Sequence, residues 1–338
     1  MKAIFFYIIG YSCLVFAGSS PNSPNKSIPF QGDPLPSWND GAVKQSIINY
    51  VKTVTDSNSK SFIPVTDRIA TFDNDGTLWP ERPNVQQVFA YYMVRRLTAR
   101  TQGLSKTQPF KAVVENDESY FADGGNKAII ELVSATHSGM TQDEFETSVK
   151  EFFKSAIYPT RNVRLSQIVY EPQRELLDYL RANGFKTFIC TRQTIEFVRG
   201  ISQQLYGIPK DQVIGTTFKY TFIDSNATIL REAVISHLND KEGKPVGIQT
   251  HIGQRPVFAC GNEGRESDIA MLKFCQSSRY PSLQVLINHD DSEREFLYEE
   301  KSNASLNAAA KNKWQVVSMK KDWKVVFPGE LEAAGEKK

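Results

Sequence analysis

The chain is poor in cysteine and histidine, and this scarcity excludes several kinds of site. Among its 338 residues there are 4 cysteines and 4 histidines. The cysteines form no Cys-x-x-Cys pair and the histidines are widely spaced, so we predict neither a disulfide framework nor a zinc site. A Ser-His-Asp triad is not indicated either. Cys190 and Cys260 each end an apolar run, which is typical of small buried side chains.

An excess of charge of one sign is also missing. The 40 Lys and Arg residues nearly balance the 38 Asp and Glu residues, and the net charge is +2. The basic residues are scattered apart from "SMKKDWK", so we predict no nucleic-acid partner. We interpret the acidic "HDDSERE" at 289–295 as a solvated helix start. The sequence carries no signal for an oligomeric state.

The chain has no apolar run long enough for a comfortable transmembrane helix. The apolar run at 3–17 follows one lysine and precedes small residues, and it predicts a signal peptide at 1–17. An uncleaved anchor is the alternative. The segment 18–38, rich in Pro, Ser and Asn, is predicted to be an extended linker. We therefore expect an exported protein, periplasmic or secreted, without a membrane span once the signal is removed.

What is present is a pattern of strands that alternate with helices. A helix is predicted from residue 39 to about 55, followed by the buried strand "RIATF" and a helical block at 82–160. Beyond it, "FKTFIC", "PVFAC" and "LQVLIN" are predicted to be short strands separated by helices, and 212–224 and 227–235 to be the strands of a hairpin. The sequence predicts an α/β fold, with a Rossmann-like, mainly parallel sheet and helices on both faces. The core is assigned to 39–81 and 161–338.

Polar side chains cluster after these strands. "RIATFDNDGTLW" places Asp73 and Asp75 one residue apart directly after a strand, where their charges repel unless a cation lies between them. Thr191 follows "FKTFIC", and Asn262 and Asp268 follow "PVFAC". Because ligands bind beyond the carboxyl ends of parallel strands, we expect these groups to meet at one edge of the sheet.

These residue types suit phosphoryl chemistry. Carboxylates at a strand end attract Mg²⁺, which prefers oxygen ligands. Lys244, predicted to lie in the loop "NDKEGKPVG", and the Thr191 hydroxyl could hold a phosphoryl group. Asp73 could attack phosphorus as a nucleophile, and Asp75 could protonate the leaving oxygen and later activate water. Lys241 is the alternative to Lys244.

The same residues resemble the four motifs of the haloacid dehalogenase superfamily. "DNDGTLW", Thr191, Lys244 and "GNEGRESD" carry the resemblance, above all to phosphoserine-phosphatase-like bacterial hydrolases with an "FDNDGTLW" first motif. It implies that Asp73 is the nucleophile and Asp75 the acid and base, and that Thr191 and Lys244 hold the phosphoryl group. It implies that Mg²⁺ is bound by Asp73, the backbone carbonyl of Asp75 and the fourth motif. The block at 82–160 would be a cap inserted between motifs one and two.

The sequence departs from this family pattern in two places. Asn262 stands where many relatives have an aspartate, so Asp268 is expected to be the main anionic metal ligand, with Glu263 or Glu266 as further contributors. Arg192 follows Thr191 where close relatives often have glycine. It could bind a substrate phosphate or carboxylate, or it could narrow the pocket.

These features predict an exported, Mg²⁺-dependent phosphatase that hydrolyses a small phosphorylated molecule through a phospho-Asp73 intermediate. The second carboxylate, Asp75, favours hydrolysis over dehalogenation, because halide leaves without a proton. Two alternatives remain open: a phosphotransferase to an acceptor hydroxyl, and a catalytically weak protein that binds a phosphorylated ligand. The uncharged Asn262 is the feature that favours the last.

Overall fold

The computed structural model describes residues 32–298, 300 and 302–329. The predicted signal peptide and most of the predicted linker lie outside these residues. No helix in the described part of the chain has the length and apolar character needed to cross a membrane.

Nine strands and twelve α-helices make up the regular structure of the described residues. The strands are β1 Ile69–Phe72, β2 Ile157–Tyr158, β3 Val163–Arg164, β4 Lys186–Thr194, β5 Val213–Ile223, β6 Thr228–His237, β7 Phe258–Asn262, β8 Leu283–Asn288 and β9 Gln315–Ser318. The helices are α1 Ala42–Thr55, α2 Val85–Arg100, α3 Phe110–Val114, α4 Glu118–His137, α5 Gln142–Ser155, α6 Glu171–Ala182, α7 Ile195–Arg199, α8 Ser202–Tyr206, α9 Gly243–Ile252, α10 Ile269–Gln276, α11 Ala304–Asn312 and α12 Met319–Asp322.

Seven of the strands form one sheet in the order β6-β5-β4-β1-β7-β8-β9. All neighbours in it are parallel except the hairpin pair β5 and β6. In register, Thr71 of β1 lies between Phe188 of β4 and Ala259 of β7. All four residues of β1 are buried, as expected for an apolar run inside a parallel sheet. The predicted α/β fold is thus confirmed.

The hydrophobic core includes part of the segment that was predicted as linker. Leu35 and Trp38 are fully buried in the main cluster, and Trp38 pairs with Trp323 through an isolated bridge and an edge-on ring contact. The prediction of an extended linker up to residue 38 is therefore wrong for its last residues. An indole at this position removes a large apolar surface from water, which holds the segment against the core.

The helical block, residues 82–160, contains α2 to α5 and lies in the chain between β1 and β4. Helix α5 begins with the predicted capping box of Thr141 and Glu144. Helix α4 is interrupted at Gly125, whose φ of 51° is left-handed. The turn after α4 pairs with β6, because Gly139 N donates to Arg231 O at 2.9 Å and Arg231 N donates to Met140 O at 3.1 Å. The limits of a cap domain stay a prediction.

Candidate active site

A tight turn after β1 sets the positions of Asp73 and Asp75. Asp73 N donates to Cys260 O at 2.9 Å, which continues the pairing of β1 with β7. Gly76 then takes a φ of +78°, and its N donates to Trp79 O at 2.7 Å. A Cβ at Gly76 would lie 2.2 Å from Asn262 Nδ2, so a side chain there would displace Asn262. Glycine is needed both for the turn and for this close approach.

Lys244 lies between two carboxylates at the carboxyl edge of the sheet. Its Nζ is 2.8 Å from Asp73 Oδ1 and also bonds Asp268 Oδ1. Burial alone favours the neutral amine, but the charges of Asp268 and Asp73 raise the pKa of Lys244 above its ordinary value. The predicted loop position is wrong, because Lys244 lies in the first turn of α9. Lys241, the alternative, is exposed and pairs with Glu266 at 3.4 Å.

The Asp73 carboxylate is buried in a setting that resists its charge. Burial, followed by the neighbouring charge of Asp268, raises the pKa of Asp73 well above its ordinary value, and Lys244 opposes this shift. Asp73 Oδ1 lies 2.8 Å from the Lys244 ammonium group, and no donor among the described residues meets it with hydrogen-bond geometry. The positive charge of Lys244 therefore offsets part of the cost of burying this oxygen.

Asp75 has its own set of donors. Trp79 Nε1 donates to its Oδ1 at 2.6 Å, and Asn84 Nδ2 donates to its Oδ2 at 2.9 Å. Burial raises the pKa of Asp75 to about 6, and the charge of Glu81 adds to the shift. The hydrogen bonds and the Arg192 charge oppose it. A carboxyl group with this pKa can carry a proton near neutral pH, as a general acid must.

Thr191 and its neighbours join the second strand end to the first. Thr191 Oγ1 accepts from Gln193 N at 3.1 Å, and the side chain is almost fully buried. Gln193 Oε1 in turn accepts from Asn74 Nδ2 at 2.8 Å, which ties β4 to the turn between the two aspartates. The next residue, Arg192, lines the cavities described below. Its carbonyl oxygen accepts from Thr216 Oγ1 at 2.6 Å.

The loop after β7 brings Asn262 and Asp268 to the site in different ways. Asn262 Oδ1 accepts from Thr77 Oγ1 at 3.3 Å, and its Nδ2 donates to Glu81 Oε2 at 3.3 Å. Both oxygens of Asp268 are engaged inside the protein, one by Lys244 and the other by Asn262 N at 3.0 Å. Both Asp268 oxygens thus face donors of the protein, and its role as the main metal ligand stays a prediction.

Glu81 is the carboxylate that the sequence analysis missed. It is buried, and within the described residues no Lys or Arg lies within ion-pair distance of it. Glu263 and Glu266, which were considered as ligands, lie elsewhere: Glu263 Oε1 accepts from Glu300 N at 3.2 Å, and Glu266 pairs with Lys241. The signal available in the sequence was only an acid two residues after Trp79.

Two neighbouring cavities lie at this edge of the sheet. The smaller, about 20 Å³, has space for one water molecule or ion and is lined by Asp73, Asp75, Glu81, Thr191 and Asn262 together with Arg192 and Arg265. The larger, about 810 Å³, extends between the helical block and the β5–β6 hairpin. Both include Asp75, Glu81, Arg192 and Arg265 in their walls, so the two cavities are adjacent.

The donor set fits a hard cation, although it is not a complete cage of charged side chains. In the described part of the chain, no three His, Cys, Asp or Glu side chains converge as a metal site. The smaller cavity is nevertheless lined by the Asp73 and Glu81 carboxylates and the Asn262 amide. Asp73 Oδ1 is buried there without a hydrogen-bond donor among the described residues. These oxygen donors suit Mg²⁺ if the backbone carbonyl of Asp75 and water complete the shell.

Comparison with known families decides the classification. A family model described as haloacid dehalogenase-like hydrolase matches residues 70–273, which is more than half of the chain. The chain belongs to the haloacid dehalogenase-like hydrolases. No curated protein matches this hydrolase with significant similarity.

Solved structures share the fold of this hydrolase at low sequence identity. A conserved, functionally unknown protein from Anaerococcus prevotii is 14% identical, has a TM-score of 0.55, and the match covers 85% of this chain and 94% of that one. A protein of unknown function from Bordetella pertussis is 15% identical, with a TM-score of 0.49 and coverage of 74% and 97%. A phosphoserine phosphohydrolase-like protein from Francisella tularensis is 14% identical, with a TM-score of 0.39 and coverage of 80% and 99%. The first of these supports the fold alone.

A buried histidine supports the turn that carries the aspartates of this hydrolase. His289 Nε2 donates to Gly76 O at 2.8 Å, and its Nδ1 lies 2.9 Å from Glu295 Oε2. Tyr170 Oη donates to the other oxygen of Glu295 at 2.6 Å. The interpretation of 289–295 as a solvated helix start is therefore wrong, because His289 and Asp291 are buried and the segment is not helical.

Proposed function

We propose that the protein is an exported, Mg²⁺-dependent phosphatase that hydrolyses phosphomonoesters through a phospho-Asp73 intermediate. The observation that carries the proposal is the Lys244 ammonium group held between Asp73 and Asp268, beside a cavity lined by Asp75 and Thr191. A cation, a hydroxyl and two carboxylates around one cavity match the needs of an in-line phosphoryl transfer. Export is proposed from the N-terminal signal-like sequence at 1–17.

The first step forms a covalent bond between Asp73 and phosphorus. An ionised oxygen of Asp73 attacks the phosphorus atom, and the bond from phosphorus to the ester oxygen breaks. Asp75 gives its proton to the departing oxygen, which leaves as an alcohol. The Lys244 ammonium group keeps Asp73 ionised, and with the Thr191 hydroxyl it stabilises the charge on the phosphoryl oxygens.

The second step returns the enzyme to its starting state. Asp75, now ionised, takes a proton from a water molecule as that oxygen attacks phosphorus. The bond to Asp73 breaks, and inorganic phosphate leaves. The larger cavity holds the alcohol part of the ester. An ester bound there would also keep bulk water away from Asp73 during the first step.

Asp73, Glu81, Asn262 and the carbonyl of Asp75 are the groups that would hold Mg²⁺. When bound, Mg²⁺ would neutralise charge on the phosphoryl oxygens and relieve the repulsion among the carboxylates. Glu81, whose Oε2 accepts from Asn262 Nδ2, would supply the carboxylate group that Asn262 lacks. Asp268, through its contacts with Lys244 and Asn262 N, keeps these two groups in position.

The proposal is tested by phosphate release from p-nitrophenyl phosphate with and without Mg²⁺. We expect Mg²⁺-dependent release by the wild type and a loss of about 10³-fold or more for Asp73→Asn. The exposed Asp211→Asn serves as the matched control and should keep wild-type activity. Equal rates for the wild type and Asp73→Asn, or no effect of Mg²⁺, would show that the mechanism is wrong. Adding an alcohol acceptor and finding new phosphoesters would identify a phosphotransferase instead.

A further inference from the structure

The larger cavity has both charged and apolar side chains in its walls. Asp75, Arg192 and Arg265 line it, and the same three residues line the smaller cavity beside Asp73. Polar side chains such as Gln86 and Thr216 contribute further to the wall. Six apolar side chains come from α4, from the β5–β6 hairpin and from the residue after it: Ile129, Ile130, Val133, Phe218, Ile235 and Leu238. The charged residues match a phosphoryl group, and the six apolar side chains match an apolar part of the ester.

The apolar wall is built from side chains of helix α4 and of the β5–β6 hairpin. Ile129 and Val133 are four residues apart on α4, so they lie on one face of that helix. Phe218 and Ile235 are opposite partners on β5 and β6. Phe218 is buried, whereas Ile129, Val133 and Ile235 are half-buried, as expected for side chains that line a space open to a ligand.

The cavity is also larger than a very small substrate needs. Its volume of about 810 Å³ lies in the range of about 300–1,000 Å³ that is usual for sites of larger small-molecule ligands. A phosphorylated amino acid bound beside Asp75 and Arg192 would leave much of the apolar wall in contact with water. An apolar group that displaced this water would gain binding energy in proportion to the area it covers.

From this geometry we infer that the substrate is an amphiphilic phosphomonoester, with the phosphate on a largely apolar alkyl or aryl alcohol. The inference rests on the proposed function, since it assumes that the phosphate lies at Asp73. It names the part of the ester that the resemblance to phosphoserine phosphatases does not predict. Binding energy from the apolar group, remote from phosphorus, would serve to hold the ester in position for attack.

The test is a homologous series of n-alkyl phosphates, from ethyl to octyl phosphate, assayed by phosphate release. We expect kcat/KM to rise about fourfold for each added methylene, and O-phosphoserine to be a poorer substrate than hexyl phosphate. A flat series, or a preference for O-phosphoserine, would overturn the inference while leaving the proposed function intact.

Variants show whether the dependence on chain length comes from this wall. Ile129→Thr combined with Val133→Thr should lower the gain in kcat/KM for each added methylene. Val114→Thr, an exposed change of the same kind in the helical block but outside the cavity, should leave the series unchanged. Equal slopes for the wild type and the double variant would contradict the assignment.

A binding measurement separates failure of the inference from failure of the proposed function. Alkylphosphonates cannot be hydrolysed, and their affinity is measured by titration calorimetry. If affinity rises with chain length while no ester is turned over, the phosphatase proposal fails and the cavity binds amphiphilic phosphate compounds as ligands rather than as substrates. If affinity is independent of chain length, the inference fails whatever the turnover.

Discussion

Replacing Lys244 with methionine removes a buried cation that lies between Asp73 and Asp268. At 2.8 Å and an effective dielectric constant of about 20, the attraction between the Lys244 and Asp73 charges is about 6 kcal/mol. Part of it offsets the cost of burying the charges, and the loss of one partner of a buried ion pair typically destabilises a protein by about 3–5 kcal/mol. We therefore expect the free energy of unfolding of Lys244→Met to fall by about this amount, because two carboxylates lose their partner.

Urea denaturation in metal-free buffer measures this loss, and two further variants isolate its cause. Lys241→Met removes an exposed lysine three residues earlier and should cost no more than about 1 kcal/mol. Asp268→Asn in the Lys244→Met background removes one unpaired charge but keeps an oxygen for Asn262 N. That double variant should be more stable than Lys244→Met alone. If it is not, or if Lys244→Met costs as little as Lys241→Met, the argument from charge burial is refuted.

Three further predictions address the acid, the metal and the helical block. Asp75→Asn should slow release of the alcohol in the first turnover by about 10²–10⁴-fold for an alkyl phosphate but less for p-nitrophenyl phosphate, because p-nitrophenolate leaves without a proton; equal slowing of this first release for both esters would exclude Asp75 as the acid. Glu81→Gln should weaken Mg²⁺ binding about tenfold in titration calorimetry, whereas the exposed Glu266→Gln should not change it. Burial, followed by the Arg231 charge, lowers the pKa of His137 well below its ordinary value, so the unfolded chain takes up a proton that the folded chain does not. Below about pH 6.5 the wild type should lose up to about 1.4 kcal/mol of stability per pH unit from this group, and His137→Gln should show a correspondingly shallower pH dependence in urea denaturation.

The parallel sheet and the grouping of Asp73, Thr191 and Lys244 could be predicted from the sequence. β1 is a short apolar strand followed directly by Asp73, and the apolar start of β4 leads into Thr191, so each strand and its functional residue are visible in one stretch of sequence. The carboxyl ends of parallel strands lie at one edge of the sheet, and this rule predicted that residues distant in sequence lie close together. Each of these predictions used local pattern and topology, which a single sequence contains.

The secondary structure at Lys244 was predicted wrongly because Gly and Pro usually mark loops. Here Pro245 lies in the first turn of α9, where its missing N–H costs nothing. Position 247, inside the helix, is a glycine because a Cβ there would lie 2.2 Å from Asn239 Oδ1. The close packing of α9 against Asn239 explains this glycine, and it depends on a tertiary contact that sequence pattern does not contain.

The parts of the site that were missed depend on long-range contacts. Glu81 reaches Asn262 across 181 positions of sequence, and His289 reaches Gly76 across 213. Asp268 was predicted as a metal ligand because its acid type was visible, whereas its contacts with Lys244 and Asn262 N were not. A carboxylate that binds a metal and one that orients a lysine look alike in a sequence, so this role of Asp268 stays a prediction.

The pairing of the turn at Gly139 and Met140 with β6 has a consequence for self-association. Strand β6 lies at the edge of the seven-stranded sheet, and unpaired backbone groups on an edge strand can recruit strands from other chains. Both backbone groups of Arg231 are occupied by this turn, so the middle of the edge is shielded. Any opening of the helical block wide enough to break these two hydrogen bonds would also uncover a template for aggregation.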